Sequence, residues 1–217
     1  MTTFYFVRHG QTLVNVNNGF NGGIIDKPLT ALGVSGAKAV GHALSQVRFT
    51  QVLTSNMPRT LTTTALIMQE NHYATQTPVQ PVNALREMVL GSWEGKTAEE
   101  NNDPAGLDLF FNDFPRFDAE VAPRIGAEPF QHVAERTLPV IQTAVAAHPT
   151  GTILVVAHGL VFRMLLNALQ GRTWPEAKVG DIMRNATITT FTTRDGQHFA
   201  KGAWDVDPAD FTVPAAK

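Results

Sequence analysis

The stretch Phe4-Tyr5-Phe6-Val7-Arg8-His9-Gly10 joins a short apolar run to a charged glycine turn. The stretch Ile153-Leu154-Val155-Val156-Ala157-His158-Gly159 has the same plan. Both apolar runs predict buried strands, and each delivers a histidine into a turn that glycine allows. Because ligands of open α/β sheets bind beyond the carboxyl ends of the strands, we expect both histidines to line one crevice. The neighbouring Arg8 indicates an anionic ligand, with phosphate as the first candidate.

The rest of the chain alternates predicted strands and helices. We expect further strands over 51–54 and 78–82, and a late hairpin of 186–193 with 198–203 that turns at Asp195-Gly196. Expected helices are one capped by Thr30, and those over 58–70, 128–147 and 160–170. This alternation predicts an α/β fold, a three-layer αβα sandwich around a central, mostly parallel sheet.

One segment breaks the pattern. Residues 95–127 contain four phenylalanines and several prolines, and we interpret them as a lid-like excursion within a single domain of residues 1–217. The chain is long enough for one sizeable core. We expect the polar tail from Asp205 onward to be loosely packed.

Composition excludes several classes of site and partner. The chain has no cysteine, so disulfides, thiolate zinc sites and cysteine nucleophiles are excluded. A net charge of −2 gives no sign of a nucleic-acid partner. No apolar run approaches the roughly 20 residues that span a bilayer, and no signal peptide is visible, so we expect a cytoplasmic protein without a membrane partner. No spacing typical of metal ligands appears, so we expect no metal.

Four positions could carry chemistry near the predicted crevice: His9 with Arg8, Arg59, Glu87 and His158. His9 beside Arg8 would stay neutral more readily, because a nearby positive charge lowers the pKa of an imidazole. Arg59 would lie in the first turn of its helix, where its fork can bind phosphate oxygens. Glu87 has apolar neighbours, which would raise its pKa and suit a general acid. Each residue taken alone could instead be structural, and Arg86 and Glu94 are charged alternatives to Glu87.

The order and spacing of these pieces resemble the histidine phosphatase superfamily, which includes the cofactor-dependent phosphoglycerate mutases. The resemblance runs from about Thr3 to Thr190. It rests on six pieces in order: Arg8-His9-Gly10-Gln11-Thr12 with Asn15, residues 26–33 with Ala37, Ser55 with Arg59-Thr60, Glu87 with residues 91–95, Ala157-His158-Gly159, and Asn185-Ala186. Each piece is weak alone, but six in order are very specific.

The resemblance implies a role for each matching residue. His9 would be the nucleophile and would carry the phosphoryl group on one ring nitrogen. The phosphoryl oxygens would be bound by Arg8, Arg59 and His158, with Asn15 and Gly159 at the same site. Glu87 would protonate the leaving oxygen and then activate water. The implied chemistry is covalent catalysis on a small phosphorylated substrate without metal or cofactor. Whether the protein forms a homodimer stays open.

The chain departs from the family pattern in two places. Gln11 stands where the family often has glutamate. The loop before Asp26 is one residue longer than usual and lacks the arginine and glutamine often found there, which puts substrate contacts from this loop in doubt.

Three functions are compatible with the resemblance. Residues 88–157 hold four Lys or Arg against ten Asp or Glu, and an acidic, phenylalanine-rich lid suits a phosphomonoester with an uncharged or aromatic remainder. The phenylalanines could equally be core packing of the lid. A phosphatase is therefore the first hypothesis and a phosphoglycerate mutase the alternative. A non-catalytic phospho-ligand module is the third, although such a module needs neither a nucleophile nor an acid.

Overall fold

A computed structural model of the protein describes residues 1–177 and 182–213. Its strands form one sheet in the spatial order β3-β2-β4-β1-β5-β6. The strand bounds are β1 (Thr2–Arg8), β2 (Gln51–Ser55), β3 (Val79–Val82), β4 (Thr152–Ala157), β5 (Ile188–Thr193) and β6 (Phe199–Lys201). The first four strands are parallel to one another, whereas β5 runs antiparallel to β1 and β6. The predicted mostly parallel sheet and the late hairpin are confirmed.

Helices cover both faces of the sheet. The α-helices are α1 (Leu13–Val16), α2 (Ala31–Ala43), α3 (Pro58–Glu70), α4 (Ala98–Asn101), α5 (Pro104–Asn112), α6 (Phe114–Arg116), α7 (Ala122–Ile125), α8 (Phe130–Ala147) and α9 (Gly159–Leu169). Helix α2 begins where predicted, because the side chain of Thr30 accepts a hydrogen bond from the Gly33 amide. Among the described residues no helix has the length and apolarity needed to cross a membrane.

The three layers follow from the alternation of side chains along buried strands. Phe4 and Phe6 belong to one apolar cluster, which also holds residues of α8 and α9. Tyr5 and Val7, which point to the other face, belong to a second cluster with residues of α2 and α3. Strand β4 is divided between the two clusters in the same way. Each face of the sheet is therefore buried by its own layer of helices.

The register of β1 on β4 brings the two histidines together. Arg8 lies opposite Ala157 at the ends of the paired strands. The chain then leaves β1, and the amide of His9 donates to the carbonyl of Ala157 (3.0 Å). His9 and His158 are consequently neighbours at the carboxyl edge of the sheet, as the sequence predicts.

The excursion at 95–127 is helical and packs into the main core. It comprises α4 to α7 with a π-helical segment at Phe117–Val121. Phe110, Phe114 and Phe117 belong to the same apolar cluster as Phe4 of β1. This segment therefore adds to the core of the sheet rather than forming a core of its own.

The expectation of a loose tail from Asp205 is wrong for its described part, which ends at residue 213. Val206 forms an antiparallel bridge with Ile188. The Asp205 carboxylate pairs with Arg184 (2.9 Å), and the ring of Phe211 lies against Tyr5. Backbone pairing and a ring contact of distant residues fix this segment, and local composition does not encode either of them.

Candidate active site

His9 lies just beyond β1 and is only 1% exposed. Its Nδ1 lies 2.8 Å from the carbonyl oxygen of Gly10. Because a carbonyl oxygen can only accept, Nδ1 carries the proton in this hydrogen bond and Nε2 keeps its lone pair. The pKa of His9 is lowered well below its usual value, first by burial and then by the charges of Arg59 and Arg8. The neutral imidazole expected from the sequence is supported, with burial as a larger cause than the arginines.

Glycine is required at the turn after His9 because two backbone segments meet there. A Cβ on Gly10 would lie 2.4 Å from the carbonyl oxygen of Gly33 in α2. The Gly10 amide donates to Oγ1 of Thr63 in α3 (3.0 Å), and that hydroxyl donates to the carbonyl of Arg59 (2.7 Å). The turn that carries His9 is thus held against both helices on one face of the sheet.

His158 follows β4 and is fully buried. Its ring centroid lies 5.2 Å from that of His9. Its Nε2 lies 2.8 Å from Oγ of Ser55 at the end of β2. Burial, followed by the charge of Arg59, lowers the pKa of His158 well below its usual value, so the ring is neutral. Ser55 has no role assigned from the sequence, although its place at the end of a parallel strand puts it on the same sheet edge.

The two arginines are both desolvated. Nη1 of Arg8 donates to the carbonyl of Met183 (2.8 Å). Arg59 is 1% exposed and uses its terminal nitrogens on the loop before α2, with Nη2 on the Gly22 carbonyl (2.9 Å) and Nη1 on the Asp26 carboxylate (2.9 Å). Burial lowers the pKa of both guanidinium groups. Arg59 therefore anchors this loop in addition to lying near the two histidines.

Glu87 is buried beside the start of α9. Its carboxylate accepts hydrogen bonds from the amides of Met88 (2.9 Å), Leu160 (3.2 Å) and Val161 (3.2 Å). Burial raises the pKa of Glu87, and it outweighs these hydrogen bonds and the nearby charges of Arg59 and Arg8. This direction agrees with the rise expected from the apolar neighbours of Glu87.

The two charged alternatives to Glu87 hold the loop before α2. The Glu94 carboxylate accepts from the amides of Ile24 and Ile25, each at 2.8 Å. Nε of Arg86 donates to the carbonyl of Gly23 (2.7 Å). The loop that departs from the family pattern is therefore fixed through its backbone by side chains from elsewhere in the chain.

Asn15 and Gly159 complete the set of predicted residues. Oδ1 of Asn15 accepts from the amide and hydroxyl of Thr12, both at 3.1 Å. A Cβ on Gly159 would lie 3.2 Å from Cζ of Arg8, so glycine allows the guanidinium to approach α9. Asn185 was not given a role, yet its Nδ2 donates to the carbonyl of His9 (2.9 Å).

Buried polar atoms at this edge of the sheet point to an anionic ligand. Nε of Arg8, Nε of Arg59 and Nδ1 of His158 are buried and have no hydrogen-bond partner among residues 1–177 and 182–213. Arg8 and Arg59 lower the pKa of His9, and His9 lowers the pKa of His158. Since buried polar groups nearly always have partners, donors left over around one histidine indicate a site built for an acceptor such as phosphate.

A cavity of about 140 Å³ opens at this point. It is lined by Arg8, Asn15, Glu87 and Gly159, together with residues of the excursion and the loop before α2. In the described part of the chain no three His, Asp or Glu side chains lie close enough together to hold a metal ion.

Known proteins with similar sequences include phosphatases and a mutase. The chain is 31% identical over 214 residues to glucosyl-3-phosphoglycerate phosphatase of Mycolicibacterium vanbaalenii, covering 93% of this chain and 91% of that protein. It is 30% identical to a 2,3-bisphosphoglycerate-dependent phosphoglycerate mutase of Methanococcus vannielii, covering 78% of this chain and 82% of that protein. A 94-residue match, 38% identical, covers 43% of this chain but spans only 34% of the fructose-2,6-bisphosphatase TIGAR of Xenopus tropicalis.

The fold also matches solved structures. The YhfR protein of Bacillus stearothermophilus superposes with a TM-score of 0.83 at 29% identity, covering 95% of this chain and 98% of that one. The sequence model of the histidine phosphatase superfamily, branch 1, matches residues 4–205. The fold, the pairing of His9 with His158 and this match together show that the chain belongs to the histidine phosphatase superfamily.

Proposed function

We propose that the protein is a metal-independent phosphomonoester phosphatase that works through a phosphohistidine on His9. The observation that carries this proposal is the set of buried, partnerless nitrogen atoms of Arg8, Arg59 and His158 around a neutral His9. Phosphatases among the related proteins support it. A neutral imidazole among cationic donors suits attack on a phosphoryl group, because the nucleophile is unprotonated while the developing negative charge is stabilised.

The first step transfers the phosphoryl group to the enzyme. Nε2 of His9 forms a bond to phosphorus because Nδ1 is engaged by the Gly10 carbonyl. The bond from phosphorus to the alcohol oxygen breaks, and the protonated carboxyl of Glu87 gives its proton to that oxygen. The amides of Leu160 and Val161 then stabilise the carboxylate that remains.

The second step returns the enzyme to its starting state. The Glu87 carboxylate takes a proton from water, whose oxygen forms a bond to phosphorus. The phosphorus–nitrogen bond breaks, and its electron pair returns to Nε2 of His9. Inorganic phosphate leaves, His9 is neutral again and Glu87 is protonated for the next cycle.

The positive charge that a metal supplies in other phosphoryl transfers would come from side chains. Arg8, Arg59 and His158 would donate to the phosphoryl oxygens. Asn15 and the backbone of Gly159, which line the same cavity, would complete the binding site.

The alternative is a phosphoglycerate mutase, which the similarity to the mutase of Methanococcus vannielii supports. A mutase of this kind must hold a second anionic group, and the acidic balance of residues 88–157 disfavours one. A non-catalytic phospho-ligand module is less favoured, because Glu87 has the raised pKa of an acid and lies at the cavity. A cytoplasmic location remains a prediction from the sequence, and the sequence leaves the oligomeric state open.

One experiment tests the central step and separates the alternatives. The enzyme is quenched during turnover of a ³²P-labelled monoester, and we expect acid-labile, base-stable label on His9 that is absent from His9→Ala. Label on another residue, or full activity of folded His9→Ala, contradicts the proposal. A parallel assay with phosphoglycerate identifies a mutase if phosphate moves between its hydroxyls faster than it is released to water.

A further inference from the structure

The cavity beside Arg8 and Glu87 has an aromatic rim. We use this name for five apolar residues that line the cavity together with Arg8 and Glu87: Phe20, Leu90, Phe110, Phe111 and Ile182. Phe20 comes from the loop before α2, and Phe110 and Phe111 come from α5 in the excursion. The part of the cavity that would surround the alcohol portion of a substrate is therefore mainly apolar.

Packing of the core explains some phenylalanines of the excursion but not all of them. Phe114 and Phe117 are completely buried in the main apolar cluster. Phe111, in contrast, is 46% exposed although it stands at the cavity, with its ring 5.1 Å from that of Phe110. An exposed aromatic ring at the mouth of a site is a surface that a ligand can cover.

Two rings of the rim, Phe20 and Phe110, pack against each other and against the core. The ring of Phe20 lies 5.4 Å from that of Phe110 and 5.4 Å from that of Trp93. Trp93 also contacts Phe117 in the core. A ligand ring would therefore meet a wall already in place, which reduces the ordering that binding requires.

Charge at the cavity disfavours a second anion on the substrate. Among the described residues that line it, the charged ones are Arg8 and Glu87. In the proposed mechanism Arg8 binds the phosphoryl group and Glu87 protonates the leaving oxygen. The excursion that covers the cavity belongs to the strongly acidic stretch 88–157. A carboxylate or second phosphate on the alcohol would find no further cation among these lining residues.

We propose that the aromatic rim binds the alcohol portion of the substrate, and that the substrate class is phosphomonoesters of uncharged alcohols that carry a flat apolar group. This inference rests on the proposed phosphatase function. The cavity is smaller than the roughly 300–1,000 Å³ typical of drug-sized ligand pockets, which fits one ring beside the phosphoryl group. The specificity of the enzyme then comes from the excursion and the loop before α2, while the sheet edge supplies the chemistry.

Two substrate esters isolate the contribution of the rim. Ethyl phosphate and 2-phenylethyl phosphate release alcohols of similar acidity, so a difference in kcat/KM reports binding of the ring. We expect a preference for the phenylethyl ester of about 10- to 100-fold, the effect of burying one aromatic ring. Phe111→Ser should reduce this ratio several-fold.

Val79→Ser is the matched control. Val79 lies on β3 and is 45% exposed, similar to Phe111, but does not line the cavity. It should leave the ratio unchanged. A wild-type ratio near one, a ratio that Phe111→Ser does not alter, or a preference for 3-phosphoglycerate over both esters would overturn the inference.

Binding of phosphonates separates this inference from the proposed function. The carbon–phosphorus bond of 2-phenylethylphosphonate and ethylphosphonate resists hydrolysis, so calorimetry measures binding without turnover. If no ester is hydrolysed but the phenylethyl compound still binds at least tenfold more tightly, the phosphatase function fails and the rim stands. If esters are hydrolysed and the two phosphonates bind equally, the phosphatase stands and the rim proposal is wrong.

Discussion

Oγ of Ser55 lies 2.8 Å from Nε2 of His158, and both side chains are fully buried. The same oxygen accepts a hydrogen bond from the amide of Met57 (3.3 Å). A serine hydroxyl has one proton to donate, and we propose that it donates this proton to Nε2, so that the proton of the neutral imidazole lies on Nδ1. Nδ1 is the atom of His158 that is buried without a partner in the described residues. Ser55 is thus a positioning residue that would aim an N–H at the phosphoryl group.

Replacing Ser55 by alanine should lower kcat/KM about 10- to 100-fold, by analogy with loss of the partner that orients a metal-bound histidine. The loss is expected because His158 would no longer be held in the tautomer with the proton on Nδ1. ¹⁵N NMR of the ring nitrogens would check the tautomer directly. Thr64→Val, which removes a different buried hydroxyl, is the control. An unchanged tautomer in Ser55→Ala would refute this role.

Glu87→Gln should lower the rate of hydrolysis by an amount that depends on the leaving group of the substrate. We expect a loss of about 10²- to 10⁴-fold on ethyl phosphate, whose alcohol needs a proton, and a much smaller loss on p-nitrophenyl phosphate. Steady-state kinetics on both esters measures this. Glu94→Gln, which weakens the hold on the loop, should affect both esters equally. A selective loss in Glu94→Gln instead would transfer the acid role to Glu94.

The rate should depend on pH through two groups of opposite shift. Burial lowers the pKa of His9 and raises the pKa of Glu87. Turnover requires neutral His9 and protonated Glu87, so kcat/KM should rise with pH through the lowered pKa of His9 and fall through the raised pKa of Glu87. A bell-shaped dependence of kcat/KM on pH is therefore expected with ethyl phosphate, with its maximum at acidic to neutral pH after correction for ionisation of the substrate. Glu87→Gln should lose the fall at higher pH, and its persistence would argue against Glu87 as the acid.

Arg59 anchors the loop before α2 and, in the proposed mechanism, binds the phosphoryl group. Two variants separate these roles. Arg59→Lys keeps a charge but loses Nε, the nitrogen that has no partner among the described residues. We therefore expect kcat/KM to fall about 10²- to 10³-fold, comparable to loss of an oxyanion donor. Asp26→Asn weakens the anchor of the loop while keeping the guanidinium. Asp26→Asn should lower the midpoint of urea unfolding clearly, while kcat/KM should fall only slightly. Normal activity of Arg59→Lys would leave Arg59 as a loop anchor only.

Removal of divalent metal should leave the rate unchanged. The reason is that Arg8 and Arg59 supply the positive charge at the phosphoryl group. Dialysis against EDTA, followed by the assay with and without added Mg²⁺ or Zn²⁺, measures this. A large loss that one of these ions restores would require a different mechanism.

Much of the fold could be predicted because it depends on patterns within short stretches. The apolar runs before His9 and His158 are buried on both faces, and such runs are typical of central parallel strands. Thr30 caps α2 through a hydrogen bond three residues away, which a local sequence signal can encode. The residues gathered at the carboxyl edge of the sheet were predictable because parallel strands end on the same edge.

Other features required the tertiary structure. The excursion contains four phenylalanines with similar neighbours, yet Phe114 lies in the core and Phe111 stands half-exposed at the cavity. The tail after Asp205 is held by Val206 on β5, a pairing of residues far apart in sequence that composition cannot reveal. Long-range contacts of this kind depend on how separate elements dock.

The sheet and the position of His9 beside His158 could be predicted from the sequence, because they depend on local periodicity and on where strands end. Glu87 was a candidate acid because of its apolar neighbours and the family resemblance. That burial lowers the pKa of His9 more than the neighbouring arginines do became apparent from the packed structure. The tertiary structure also decided that Arg59 grips the loop before α2 and that Ser55 touches His158. Desolvation and hydrogen-bond partners are set by atoms from every packed element, so no single stretch of the chain contains them.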